Sequence, residues 1–119
     1  YFDQHPERLA DSPQFDHGTP HGVDVPYVFM NLDPNSERTS KSDLAISETM
    51  GTYWTNFAKY GHPNGAGVPD WPAYSEQNPV VMYLGPTVYL SEVPDESSLR
   101  VMDNYFRWRR TQEGKEWAK

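Results

Sequence analysis

The stretch Gly18-Thr19-Pro20-His21-Gly22-Val23-Asp24-Val25-Pro26-Tyr27-Val28-Phe29 decides how these 119 residues are read. His21 sits between Pro20 and Gly22, in a segment bounded by turn-forming residues. Behind it, Val25, Val28, Phe29 and Leu32 recur at i, i+3, i+4 and i+7, which predicts a short helix. Asp24 stands where a side chain caps a helix N-terminus, and Pro26 is tolerated in a first turn, where backbone donors lack partners. A loop histidine anchored by packing on one side suits proton transfer to a substrate that it must reach. A surface histidine in a turn fits the same residues, and on their chemistry alone that plainer reading is favoured over a catalytic one.

Working outward, Ser40-x-x-Asp43 has the form of a capping box and opens a helix expected to run to about Tyr60. Ile46, Met50, Tyr53, Trp54 and Phe57 form one broad apolar stripe along it, read as core packing rather than as a ligand platform. Gly61 is placed to end the helix in a left-handed conformation, and Pro63 prevents its resumption. Residues 62–79 form a long connection in which Trp71-Pro72 is expected to pin the chain by burying the indole. Val80–Leu84 and Thr87–Leu90 are β-rich runs around Gly85-Pro86 and predict a hairpin. Beyond Pro94 a terminal helix carries two apolar seams, Leu99/Met102/Phe106 and Val101/Tyr105/Trp108. Two seams exceed what a small body needs, so they predict contact with another part of the fold or self-association.

Three of these stretches together resemble type-B carboxylesterases, the cholinesterase-like branch of the α/β-hydrolases. His21-Gly-Val-Asp24-Val-Pro-Tyr-Val-Phe29 is similar to the catalytic-histidine segment of that family, approximately H-G-x-E-[IL]-P-[FY]-V-F. Trp54-Thr-Asn-Phe57-Ala-Lys59-Tyr-Gly61-His-Pro63-Asn64 resembles its W-x-x-F-A-[KR]-x-G-[DN]-P-N helix end. Trp71-Pro72-Ala-Tyr74 resembles its W-P-x-Y turn. The resemblance implies an α/β fold class. The chain would be the C-terminal portion of an α/β-hydrolase domain: the end of a core strand at Tyr1-Phe2-Asp3, a histidine loop, a helix, a strand pair and a terminal helix. Residues 1–119 are expected to be one segment of such a domain, incomplete as a free-standing body.

The resemblance implies that His21 is the general base and acid of a serine-dependent ester hydrolase. The family's nucleophile lies in a G-x-S-x-G elbow, and this sequence has no such pattern. Chain order in the fold is serine, acid, histidine. The nucleophile, its acid and the oxyanion loop are therefore expected upstream of Tyr1 or in another chain, and the 119 residues alone are expected to be inactive. Asp24 fills a position where the family usually has glutamate. It stands only three residues from His21 and is not assigned as the triad acid. A non-catalytic relative used for adhesion or assembly is the alternative reading, and a small independent binding module is a third.

Composition bounds the partners. Residues 1–99 carry 14 acidic against 4 basic residues, which argues against nucleic acid and anionic membranes. Arg107-Trp108-Arg109-Arg110 lies where charges of both signs alternate and reads as a solvated helix face. No apolar run reaches the length of a membrane span. The absence of cysteine excludes disulfides and thiol chemistry. His17 and His21 are four apart, but Gly18 and Pro20 between them prevent a helix from aligning the rings, so no metal site is expected. No cofactor is expected. His5 and His62 precede prolines and are expected at the surface. The expected partners are the upstream part of the same enzyme and a small-molecule ester.

Overall fold

The computed structural model describes residues 1–4 and 19–117. The long loop expected between His5 and Pro20, with His5 and His17, falls largely outside them. Among the described residues, six elements follow in chain order. A short helix α1 spans Val25–Val28, a long helix α2 spans Lys41–Tyr60, and strands β1 and β2 span Val80–Tyr83 and Tyr89–Glu92. Helices α3 and α4 span Glu96–Arg109 and Gln112–Trp117.

Helix α2 begins and ends as its sequence dictates. The Ser40 hydroxyl accepts from the Asp43 amide, and the Asp43 carboxylate accepts from the Ser40 amide, completing the capping box. Gly61 closes the helix at φ 76°, a left-handed conformation costly for residues with a Cβ. Ile46, Met50 and Tyr53 on its inner face are buried with Tyr27, Met82 and Leu84, and these six form the core. The stripe is only partly core, because Trp54 and Phe57 remain exposed.

The hairpin is antiparallel, with Val80 opposite Glu92 and Tyr83 opposite Tyr89. Its second strand lies two residues beyond the expected position, so Thr87 belongs to the connection. The N-terminal segment runs parallel to the end of β1. Leu84 donates its amide to the Tyr1 carbonyl and the Asp3 amide donates to the Leu84 carbonyl, both at 2.8 Å. Phe2 pairs with Leu84 and sets its ring edge-on to Tyr27. Residues 1–3 thus form the strand-like end inferred from the sequence.

Helix α1 forms where expected but presents a different face. Tyr27, absent from the apolar pattern, is its buried residue, whereas Val25 and Phe29 are exposed. A four-residue helix is too short for a 3.6-residue pattern to fix its rotation, and the hydrogen bonds of Tyr27 fix it instead. Asp24 makes no side-chain cap bond and itself has helical dihedrals.

The terminal helix is interrupted at Arg110-Thr111. The Thr111 hydroxyl donates to the Trp108 carbonyl and accepts from the Gly114 amide, the local bonding by which threonine competes with helix continuation. Helix α4 folds back and sets Trp117 edge-on to Trp108. Gly114 permits this, because a Cβ there would lie 2.3 Å from the Trp108 carbonyl oxygen. No residue of α3 is buried, so both of its apolar seams are open apart from half-covered Trp108.

Candidate active-site histidine and its supports

His21 is exposed, in a turn directly ahead of α1. The turn is closed by the Val23 amide donating to the Pro20 carbonyl at 3.4 Å. Gly22 takes φ 81°, where a side chain would be disfavoured. The Val25 amide donates to the Gly22 carbonyl, and the Tyr27 and Val28 amides both donate to the Asp24 carbonyl. A series of local hydrogen bonds, of 3.0 to 3.4 Å, therefore links the histidine turn to Tyr27.

Tyr27 is held by α2 at two points. Its carbonyl accepts from the Ser47 hydroxyl at 2.8 Å, and its phenol donates to Asp43 Oδ1 at 2.6 Å. The same Oδ1 accepts from Gln4 Nε2 at 2.7 Å. The other oxygen, Oδ2, accepts from the Ser40 amide at 2.8 Å and from its hydroxyl at 2.7 Å. Asp43 is 1% exposed yet has four donors, the arrangement that makes burying a carboxylate tolerable. Burial alone raises its pKa and is the largest single influence. The bonds from Tyr27, Ser40 and Gln4 together outweigh it and hold the carboxyl below its ordinary value. The Tyr27 phenol is pushed up by burial, by its bond to Asp43 and by that charge, so it remains a donor.

From its sequence context Asp43 reads only as a helix cap. Its bonds to Tyr27 and Gln4 have a faint signal, an aspartate where a capping box more often has glutamate or glutamine and a tyrosine within an apolar run. Gln4 carried no signal. Asp24 lies in the turn series through its backbone and not through a side-chain cap.

The second resembled stretch builds a separate feature. Asn64 brackets Trp71, accepting from its amide at 2.7 Å and donating to its carbonyl at 3.0 Å. The Tyr53 phenol donates to the Pro69 carbonyl at 2.7 Å, and its ring meets the Trp71 indole edge-on. Trp71 pins the long connection as expected, although it is half-buried rather than enclosed. Trp54, Phe57, His62, Trp71 and Tyr74 line a groove of about 720 Å³ beside it. His62 is exposed and stacks on Tyr60. Among the described residues, no cluster of three or more His, Asp or Glu side chains is placed to hold a metal ion.

Comparison with known proteins bears on the family and the fold. The chain is 31% identical over 99 residues to the para-nitrobenzyl esterase of Bacillus subtilis, covering 79% of this chain and 19% of that protein. It is 36% identical over 58 residues to human cocaine esterase, covering 48% of this chain and 10% of that protein. It is 40% identical over 60 residues to acetylcholinesterase of Gallus gallus, covering 49% and 8%. Among solved structures, a PNB esterase superposes with a TM-score of 0.61 at 28% identity, covering 83% of this chain and 19% of that one. A Geobacillus stearothermophilus carboxylesterase superposes at 0.62 with 25% identity, covering 83% and 20%. The chain thus spans about a fifth or less of the length of these relatives, and it has the architecture of the C-terminal portion of their α/β-hydrolase fold. A profile of the carboxylesterase family matches residues 1–102, most of the 119, and the chain belongs to that family.

Proposed function

We propose that this chain supplies His21 as the general base and acid of a serine-dependent carboxylic-ester hydrolase. The supporting observation is the placement of His21, solvent-facing in a turn whose following helix is bonded to a buried carboxylate. A hydrolase needs its proton-transfer group accessible to substrate and fixed in direction.

A serine hydroxyl is too weak an acid to attack a carbonyl unaided. In the proposed reaction the neutral imidazole of His21 takes the hydroxyl proton as the serine oxygen bonds to the ester carbonyl carbon. The imidazolium then gives that proton to the departing alkoxide, leaving an acyl-enzyme and a free alcohol. In the second half-reaction the imidazole takes a proton from water as the water oxygen attacks the acyl carbon. It returns that proton to the serine oxygen, and a carboxylic acid is released. The nucleophile, the carboxylate that orients the second ring nitrogen and the oxyanion donors belong to a region upstream of Tyr1 or to a second chain. The exposed face of α3 serves for contact with that region or with another copy.

The test is replacement of His21 by glutamine in the complete enzyme, with turnover of a p-nitrophenyl ester as readout. A collapse of kcat with KM little changed supports the role, and unaltered turnover refutes it.

A further inference from the structure

We propose that Asp43 is the positioning residue of the His21 turn, one carboxylate that ties the chain at Gln4 and at Tyr27 to helix α2. The proposal rests on the reading of His21 as general base and adds what holds it in place. Tyr27 follows Gln4 by 23 residues in the sequence, and His21 lies between them. Both side chains donate to the same oxygen of Asp43, at 2.7 and 2.6 Å. The opposite oxygen is bonded to Ser40, which fixes the carboxylate to the first turn of α2. Asp43 therefore connects three parts of the chain that have no covalent reason to stay in register.

The geometry separates this function from helix capping. Capping uses Oδ2 and the Asp43 amide, both directed at Ser40. Oδ1 contributes nothing to the cap, because its two donors come from outside the helix. From Tyr27 the constraint passes to His21 through the turn bonds at Asp24, Gly22 and Pro20. A turn held less firmly could shift, and displacement by an ångström is enough to cost a proton-transfer group about a hundredfold in rate.

The experiment uses the complete enzyme and four variants: Tyr27→Phe, the double variant Gln4→Leu/Tyr27→Phe, Tyr53→Phe and His21→Gln. Tyr27→Phe removes one oxygen and keeps the ring that fills the core. Tyr53→Phe is the control, since it deletes an equally short phenol bond, to Pro69, far along α2 from the loop. Tyr27→Phe is expected to lower kcat about tenfold with KM within about twofold, and the double variant to lower it about a hundredfold. Amide exchange at Gly22 and Val23 should quicken in the same order. Tyr53→Phe should lower the melting temperature yet leave kcat and those amides unchanged.

Unchanged kcat and unchanged loop exchange in Tyr27→Phe, beside an inactive His21→Gln, would overturn the positioning role while leaving the catalytic reading intact. A fully active His21→Gln would refute the catalytic reading itself, and the proposal with it. Where the double variant does not fold, Tyr27→Phe alone decides.

Discussion

The Tyr27 hydroxyl stands 2.6 Å from Oδ1 of Asp43, and both residues are 1% exposed. A phenol kept protonated thus meets a carboxylate kept ionised, inside a core otherwise built from Ile46, Met50, Tyr53, Met82 and Leu84. Hydrogen bonds to a charged acceptor are roughly twice as strong as neutral ones, and burial removes competition from water.

This pair predicts a specific response to acid. The Asp43 carboxyl is depressed below its ordinary value of 3.8, so its stabilisation is fully present above that pH. It is lost as pH falls through the lower value it has in the folded state. Melting temperature of the complete enzyme should therefore drop on acidification below about pH 4. Asp43→Asn should lower stability at neutral pH and flatten that part of the profile. An unaltered acid profile in Asp43→Asn would assign the transition to other groups.

Much of the fold was legible in the sequence, and the exceptions have physical causes. The capping box at Ser40 and the left-handed stop at Gly61 are local signals, and both hold. The rotation of α1 was not legible, because it is set by Tyr27 bonds to Asp43 and Ser47, sixteen and twenty residues away. The break at Thr111 was hidden because its flanking residues are good helix formers and the closing contact is a Trp108–Trp117 pair. In the proposed site, His21 is the candidate that its motif names. Gln4 could not be named, since a lone glutamine after a strand has no pattern to mark it.

Met30 offers a test of backbone strain. It adopts φ 51° without being glycine, a conformation that costs a residue with a Cβ roughly 1–2 kcal/mol. Its side chain lies over Gly51, where an added Cβ would come within 2.8 Å of it. Met30→Gly should raise the stability of the complete enzyme by about 0.5 kcal/mol at most, the relief of strain less the added freedom of the unfolded chain and the lost packing. A lower melting temperature would show that the Met30 contact with α2 outweighs the strain.

The 119-residue chain by itself should not turn over esters, because no nucleophile elbow occurs in its sequence. With p-nitrophenyl acetate, its rate should not exceed that of free imidazole at equal concentration. Turnover above that level, abolished by a serine-directed phosphonate, would contradict this.

The isolated chain should also self-associate. Leu99, Met102 and Phe106 are each about half exposed on α3, at 48, 51 and 50%, and together present a continuous apolar face. Sedimentation at low micromolar concentration should show species larger than 13.7 kDa. Met102→Lys should shift them toward the monomer. A wild-type monomer with one cooperative thermal transition would count against it.

Whether His21 moves the proton in ester hydrolysis is decided by steady-state kinetics of His21→Gln in the complete enzyme. The change should lower kcat at least roughly a thousandfold, since members of a triad act as a unit. The same change at His5, His17 or His62 should alter turnover within about threefold. Near-normal kcat in His21→Gln, with the fold intact by circular dichroism, would contradict the account.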